Sequence, residues 1–370
     1  MTAKGTKKLL VLSVGYGQGH HSAAAALAEH YSAMGWVTSV ADVCEMASPR
    51  GFRLTQLFYQ FCVRKAPWLW GVTYSRTDTA NWAALIHTPI VKPVVKCLRA
   101  LLEREKPDLI ICTYPLFAYM LDFLFENGSP KVPYAVVVTD ALEISRPWMC
   151  TDAPLVLVPD EGSRQLVIER YALPAGRVVA AGFPVKAAFC PDGDRECAGE
   201  SNLRVVYGAY RQNEGVVNDV CALLAEFPKM QLTVIAGVRA ELMKRRFANQ
   251  YENGRLNIIR ETADMAGLLS KSHFYIGKAG AATMFECYST CVPMLVNFIL
   301  PGQEEGNLRL LLKDGAGAHV QSTAHLVYTI REMLEADARG WRRLCESITR
   351  SGRAGGAARI AEAIRNRFGI

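Results

Sequence analysis

The feature that most constrains the fold is a repeated alternation of short β-branched runs with helical stretches in both halves of the chain. This alternation is typical of parallel sheets covered by helices. The chain has 370 residues, too many for one ordinary hydrophobic core, so we expect two α/β domains. Strands are predicted at 9–14, 37–40, 109–112, 134–139, 155–158, 204–207, 231–236, 256–259, 274–276 and 294–297.

A polar stretch from Cys190 to Asn202 separates the two halves and contains Pro and Gly but no periodicity. It is interpreted as a linker between a domain at 1–189 and a domain at 203–370. The last helix could pack back on the first domain.

Composition argues against several classes of protein. No apolar run approaches the roughly 18–20 residues that a membrane span needs, and no secretion signal follows the N-terminus. The eleven cysteines include no C-x-x-C pair, which disfavours a disulfide framework or a zinc site. A reducing cytoplasm is therefore the expected location, with no bound metal.

Positive charge is concentrated in the long insertion between the second and third predicted strands. From Arg50 to Lys106 there are ten Lys or Arg against three Asp or Glu, an excess equal to the whole net charge of +7. Aromatic residues are interleaved with these cations, as in helices that lie on an anionic membrane surface. Core packing of the aromatics is the alternative, and no motif supports nucleic-acid binding. The residues predicted to face the membrane are Arg64, Lys65, Trp68 and Trp70.

A glycine-rich loop, Gly15 to Gly19, follows the first predicted strand and precedes an alanine-rich helix. Such a loop brings backbone close to a ligand, and the N–H groups at a helix start favour negative charge. A dinucleotide site is a competing interpretation, with Asp42 as the ribose-binding acid, although the spacing differs from G-x-G-x-x-G.

His20 stands at the mouth of this loop and is predicted to be a general base, because imidazole accepts protons near neutral pH. His21 is a weaker candidate. Asp140 ends a predicted strand and is expected to fix the tautomer of His20.

The second half contains a more specific pattern, Gly277 to Glu286 followed by PGQEEGN at 301–307. Gly280 to Thr283 would open a helix whose N–H groups bind a diphosphate, and Glu286 could accept the hydroxyls of a ribose. The Gln303–Glu304 pair has side chains suited to sugar hydroxyls. Ordinary loop polarity is the alternative for each residue alone.

Taken with Val138–Asp140, Trp148 and Ala181–Val185, these motifs resemble family 28 glycosyltransferases, in particular monogalactosyldiacylglycerol synthases and diacylglycerol glucosyltransferases. The resemblance implies two facing Rossmann-like domains of the GT-B type with a cleft between them. It also implies an inverting enzyme on the cytoplasmic face of the membrane, which moves a hexose from a UDP-sugar to a lipid acceptor without a cofactor or an obligatory metal.

The resemblance also implies roles for single residues. His20 would deprotonate the acceptor, Asp140 would support it, Glu286 would hold the ribose, and Gln303 with Glu304 would hold the sugar. Acceptor contacts would come from Gly17, Gly19 and Trp148. Further donor contacts would come from Gly208, Arg211, Gly237, Met265, Lys278, Gly280, Thr283 and Asn307.

Two stretches depart from the family pattern. Gly208-Ala-Tyr-Arg211 replaces a glycine-rich loop, and Ser145 stands where a histidine is usual. Two alternatives therefore stay open: an enzyme similar to UDP-GlcNAc 2-epimerases, and a non-catalytic protein that binds a sugar nucleotide or a lipid.

Overall fold

A computed structural model gives the fold and describes residues 6–16, 18–66, 68–69, 71, 82–190, 196–210, 214–248, 254–302 and 304–370. The chain divides into two compact units. The N-terminal unit comprises Met1–Ala187, Pro301–Gly306 and Gly355–Ile370, and the C-terminal unit comprises Ala188–Leu300 and Asn307–Ala354. The boundary after Ala187 lies beside the start of the predicted linker.

The N-terminal unit contains a parallel sheet of six strands in the order β2-β1-β3-β4-β5-β6. Three of its inner strands are fully buried because helices cover both faces of the sheet. The strands are β1 (Lys8–Leu12), β2 (Val37–Ala41), β3 (Leu109–Cys112), β4 (Tyr134–Val137), β5 (Val156–Val158) and β6 (Val178–Ala180).

The helices of this unit are α1 (Gln18–Ala33), α2 (Val43–Ala47), α3 (Pro49–Lys65), α4 (Trp82–Ile86), α5 (Lys92–Glu105), α6 (Pro115–Glu126), α7 (Glu161–Tyr171) and the last helix, α14 (Gly356–Phe368). Helices α1 and α14 pack on one face of the sheet through Leu27 and Ile360. Helices α5 and α6 pack on the other face through Leu98 and Phe117. The long basic insertion therefore folds in large part as α3, α4 and α5.

The C-terminal unit repeats the scheme with the strand order β12-β11-β10-β7-β8-β9, again parallel. Its strands are β7 (Arg204–Gly208), β8 (Gln231–Ile235), β9 (Leu256–Ile259), β10 (Phe274–Lys278), β11 (Met294–Phe298) and β12 (Gly317–His319). Its helices are α8 (Glu214–Glu226), α9 (Ala240–Arg246), α10 (Met265–Ser270), α11 (Ala281–Ser289), α12 (Glu305–Lys313) and α13 (Thr323–Ser351). The first two residues of α12 belong to the N-terminal unit, and Glu335–Ala338 interrupts α13 with non-helical backbone.

All ten predicted strands are present, and the predicted α/β class is confirmed. The two strands that the sequence did not reveal, β6 and β12, have three residues each and lie at sheet edges, where a short run carries little pattern. Within the ranges given above, no helix combines the length and the apolar character that crossing a bilayer requires.

Candidate functional site

The predicted base lies where the strand order of the N-terminal sheet reverses. Strand β1 lies between β2 and β3, so the chain leaves it in one direction and returns on the other side. Such switch points form crevices at the carboxyl ends of parallel strands, where ligands bind in open α/β sheets. His20 follows β1, Thr113 follows β3 and Thr139 follows β4, and the structure brings these three together.

Hydrogen bonds of His20 define its tautomer. Nδ1 lies 2.9 Å from the carbonyl oxygen of Thr113 and 2.9 Å from Oγ1 of Thr139. Because a carbonyl oxygen can only accept, Nδ1 carries the proton in this contact and Nε2 is the basic nitrogen. The main chain thereby presents Nε2 as a proton acceptor.

The environment keeps the ring neutral. Burial lowers the pKa of His20 to about 4, the hydrogen bond to Thr113 opposes this shift, and the nearby His21 adds to it. Two aromatic rings contact the imidazole: Tyr114 edge-on at 5.2 Å between centroids and Trp148 at 6.2 Å. His20 is therefore an uncharged imidazole at neutral pH.

Asp140 is buried just after β4, but the prediction that it fixes the tautomer of His20 is corrected by the structure. The Nδ1 position of His20 is taken by Thr113 and Thr139, whereas Asp140 Oδ2 accepts a hydrogen bond of 2.9 Å from Nε1 of Trp148. The sequence could not show this, because main-chain carbonyls have no residue signature. Asp140 thus holds Trp148, which in turn packs against His20.

The loop before His20 is held from two sides. Gly15 N–H donates to Oδ2 of Asp42 at 2.8 Å, and Gly15 carbonyl accepts from Nε2 of Gln56 on α3 at 2.7 Å. Asp42 Oδ1 also caps α2 by accepting from Glu45 N–H. Both carboxylate oxygens of Asp42 thus accept hydrogen bonds from main-chain N–H groups. This counts against Asp42 as the ribose-binding acid of a dinucleotide site.

In the C-terminal unit the strand order reverses between β7 and β10. Gly280, after β10, is the N-cap of α11 and has no side-chain cap, so the first N–H groups of the helix are available to an anion. Lys278 ends β10, and its Nζ lies 4.5 Å from the ring centroid of Tyr210, which follows β7. A cation and a helix N-terminus therefore meet at this switch point.

Gly208 is required by its neighbour Tyr275. A Cβ at Gly208 would overlap the hydroxyl of Tyr275, a buried residue of the neighbouring strand β10. Burial is the main cause that raises the pKa of that hydroxyl, and the charges of Lys278, Tyr210 and Glu286 also act on it.

Other predicted donor residues take different positions. Thr283 is part-exposed in the first turn of α11, and Glu286 is largely buried one turn later. Asn307 is buried, and its Nδ2 donates 2.9 Å to the carbonyl of Ala279. The amide of Asn307 thus holds the turn before α11, and a direct contact with the donor stays a prediction.

Gly237 follows β8 with φ of +56°, a left-handed conformation that suits glycine, and Met265 begins α10. The buried Glu304 belongs to the N-terminal unit, because 301–306 packs on that unit. A Cβ on Gly306 would overlap the main chain of Ala141 and Glu143. The segment that carries Glu304 therefore lies beside the loop that begins at Asp140.

The remaining predicted residues belong to the acceptor, membrane and donor sets. Gly19 lies in α1 with open space where a Cβ would stand, and Trp68 is 69% exposed. Gly17, Trp70, Arg211 and Gln303 lie outside the described residues, as do the side chains of Arg64 and Lys65. Among the described residues, no group of three or more His, Cys, Asp or Glu could hold a metal ion.

Sequence reasoning missed Thr113, Tyr114 and Gln56. Thr113 and Tyr114 follow a predicted strand, and the position of a residue just beyond a strand end was the only available signal. Gln56 lies in a helix, and nothing in its sequence context indicated a contact with Gly15.

Comparisons with known proteins show similarity in sequence and in fold. Residues 20–185 match the family described as monogalactosyldiacylglycerol (MGDG) synthase. A processive diacylglycerol beta-glucosyltransferase of Bacillus cytotoxicus is 24% identical over 345 residues, which cover 89% of this chain and 86% of that protein.

Two solved structures share the fold. MurG of Acinetobacter baumannii superposes with a TM-score of 0.62 at 15% identity, covering 97% of this chain and 99% of that one. A UDP-GlcNAc 2-epimerase from Neisseria meningitidis bound to UDP-GlcNAc gives a TM-score of 0.63 at 14% identity, covering 98% and 100%. At such identities the likeness shows the fold alone, which is that of two Rossmann-like domains of the GT-B type.

Proposed function

We propose that the chain is a glycosyltransferase of the monogalactosyldiacylglycerol synthase-like family, and that it transfers a hexose from a UDP-sugar to diacylglycerol at a membrane surface. The observation that carries the proposal is the hydrogen bond from His20 Nδ1 to the Thr113 carbonyl, which leaves Nε2 as the basic nitrogen. A fixed, neutral imidazole at a strand switch point is what the activation of an acceptor hydroxyl requires.

The acceptor step begins with Nε2 of His20. It takes the proton of the glycerol hydroxyl while the oxygen attacks the anomeric carbon from the face opposite the diphosphate, which inverts that centre. The low pKa of about 4 keeps Nε2 unprotonated before the reaction. The negative charge of a bound donor would raise this pKa and strengthen the base when it is needed.

The donor step uses the C-terminal unit. We propose that the diphosphate lies at the start of α11, against the N–H groups after Gly280 and the ammonium of Lys278, and that Glu286 accepts the ribose hydroxyls. Glu304 and Gln303 would contact the sugar. Because the helix start and Lys278 supply positive charge to the departing diphosphate, the proposed reaction uses no metal and no cofactor.

The membrane contact is assigned to α3. Leu54, Leu57, Phe58 and Phe61 follow one another at helical spacing and are between 50 and 69% exposed. Such a row of large apolar side chains is costly in water and favours insertion below lipid headgroups, with basic residues over anionic lipids. We place the enzyme on the cytoplasmic face of the membrane.

Transfer assays test the assignment of the base. Purified protein is incubated with diacylglycerol in mixed micelles and with each radiolabelled UDP-hexose, and the lipid product is extracted. We expect His20→Ala to lower kcat by about 10²–10⁴, the usual contribution of a general base, while His21→Ala retains most activity. Full activity of His20→Ala would refute the assignment.

The UDP-GlcNAc 2-epimerase suggests the competing function, because this chain superposes on its structure as well as on that of MurG. An enzyme of that kind acts on the free sugar nucleotide and needs no lipid. Conversion of a UDP-sugar in the absence of acceptor, without binding to anionic vesicles, would favour it. Tight UDP binding without turnover would instead indicate a non-catalytic protein.

A further inference from the structure

We propose that a buried polar network in the C-terminal unit positions Lys278 for the diphosphate of the donor. The members of this network are Asp219, Tyr207, Asn297 and Thr323. The inference rests on the proposed function and adds to it a set of positioning residues, which act on the donor through Lys278.

The network joins four elements through side-chain hydrogen bonds. Asp219 on α8 accepts from the hydroxyl of Tyr207 on β7 at 2.7 Å and from that of Thr323, the first residue of α13, at 2.6 Å. Asn297 on β11 donates to the hydroxyl oxygen of Tyr207 at 2.6 Å, and its Nδ2 lies 3.5 Å from Oδ2 of Asp219. Strands β7 and β11, which lie on either side of β10, are thus joined to each other across it.

Burial gives these hydrogen bonds their importance. Tyr207 is 1% exposed and Asp219 is 8% exposed, while Asn297 and Thr323 are part-buried. A buried polar group costs free energy unless it is hydrogen-bonded, and a satisfied network holds its members in one arrangement. Apolar side chains of similar size would fill the same space, whereas only directional bonds set the relative positions of the strands.

Asn297 is the extra residue of a β-bulge beside Lys278. Gly277 on β10 pairs with Val296 on β11. The next residue, Lys278, pairs with Phe298, so the ladder skips Asn297. Bulges change the direction of nearby side chains and are common next to active sites. This bulge therefore decides where Lys278 leaves the sheet.

The hydrogen bonds of Asn297 hold the bulge in place. A residue that the ladder skips is not held by strand pairing, and here Tyr207 and Asp219 hold its amide instead. Pairing resumes after the bulge, since Ala279 N–H donates to the Phe298 carbonyl at 3.2 Å. Helix α11 begins two residues later. The register that is fixed at Asn297 thus extends to the start of this helix.

Tyr207 connects the network to the ring beneath Lys278. It lies near the end of β7, three residues before Tyr210. Nζ of Lys278 lies 4.5 Å from the ring centroid of Tyr210. The hydroxyl of Tyr207 therefore holds both sides of this contact, because it bonds the bulge that directs the lysine and belongs to the strand that leads to the ring.

The test removes hydrogen bonds of the network one residue at a time. Asn297→Leu keeps the approximate shape of the side chain but removes the amide, and Asp219→Leu removes the acceptor. Asp219→Asn is the conservative variant, because its amide can accept from the hydroxyl of Tyr207 and donate to that of Thr323.

Leu223→Ala is the matched control for stability. It opens a cavity in the same core, one turn further along α8 from Asp219, without removing a hydrogen bond of the network. Thermal unfolding measures how far each variant is destabilised.

Two readouts follow the lysine and the nucleotide. In protein with isotope-labelled lysine, the ring current of Tyr210 moves the ε-CH2 signal of Lys278 upfield, and Lys278→Arg assigns that signal. Calorimetric titration gives the dissociation constant of UDP. We expect Asn297→Leu and Asp219→Leu to lose the upfield shift and to bind UDP about two- to fivefold more weakly, the factor for one exposed cation–π contact. The wild type, Asp219→Asn and Leu223→Ala should retain both properties.

Repeating the titration in a Lys278→Ala background separates positioning from a general structural role. Because the network acts through the lysine, Asn297→Leu should weaken UDP binding no further in that background. A merely structural loss would instead add to the loss from Lys278→Ala.

Four results would overturn the inference: a wild type without the upfield shift of Lys278, Asn297→Leu with an unchanged signal, Leu223→Ala that behaves like Asn297→Leu, or a loss of UDP affinity that persists in full without Lys278. Failure of the proposed function is distinguishable, because the lysine signal is measured without nucleotide. A chain that binds no UDP but loses the shift in Asn297→Leu would retain the positioning role and lose the donor-site assignment.

Discussion

The Thr113 carbonyl oxygen lies 2.9 Å from Nδ1 of His20, so a main-chain group fixes the tautomer of the proposed base. In catalytic triads this position is usually held by a carboxylate, which also stabilises the imidazolium that forms. A carbonyl fixes the same nitrogen without a full negative charge. The arrangement gives a well-oriented base whose resting pKa stays low, and it changes what is expected of Asp140.

Replacing Asp140 by Asn should therefore have a mild effect. Removing the triad carboxylate of a serine protease in this way costs about 10⁴ in kcat because the histidine adopts the wrong tautomer. Here the amide oxygen of Asn can still accept the Trp148 N–H, and Thr113 still holds Nδ1. We expect kcat to fall by less than about tenfold.

Steady-state kinetics of Asp140→Asn, with thermal unfolding as the control for folding, check this expectation. Trp148→Phe is the companion variant, since it removes the donor and leaves the carboxylate. A fall in kcat of a thousandfold or more in Asp140→Asn would show that the negative charge itself supports the base.

The pH dependence of activity follows from the burial of His20. Its pKa is lowered from 6.5 to about 4, so the imidazole of the free enzyme remains unprotonated, and able to act as a base, well below neutral pH. As the pH falls, kcat/KM should stay level through 6.5 and decline only as the pH approaches 4.

The profile is obtained by measuring kcat/KM of the wild type across this pH range, with membrane binding measured in parallel. The matched comparison is the pH profile of UDP binding, which should not decline as His20 is protonated, because a donor that raises the pKa of His20 binds the protonated form at least as tightly. An acid limb centred at 6.5 or higher in kcat/KM would contradict the low pKa.

The strands and both glycine-containing turns could be predicted because each depends on a local pattern. Leu109–Cys112 is a continuous apolar run, and Gly280 directly precedes a helical stretch. The contacts of His20 could not be predicted, since Thr113 and Thr139 are 93 and 119 positions away in the sequence. Tertiary packing alone decides which carbonyl or hydroxyl meets a given ring nitrogen.

Substitution of Gly208 tests why this glycine is needed in the stretch that departs from the glycine-rich pattern. Gly208→Ala places a methyl group against the Tyr275 hydroxyl and should lower the free energy of unfolding by about 1–3 kcal/mol, the cost of overpacking a core. Tyr275→Phe removes the overlapping oxygen, so the double variant should recover part of the loss. Differential scanning calorimetry of the four proteins measures the recovery, and strict additivity would show that another contact makes Gly208 necessary.

Tyr210 should position Lys278 for the donor. Its ring lies under the Lys278 ammonium at 4.5 Å, and at an exposed site such an interaction contributes about 0.5–1 kcal/mol. Tyr210→Ala should therefore weaken UDP binding by about two- to fivefold, whereas Tyr210→Phe, which keeps the ring, should bind UDP like the wild type. Calorimetric titration of UDP into these variants, and into Lys278→Ala with and without Tyr210→Ala, completes a double-mutant cycle. If Tyr210→Ala costs the same affinity with and without Lys278, the ring acts on the nucleotide directly and does not position the cation.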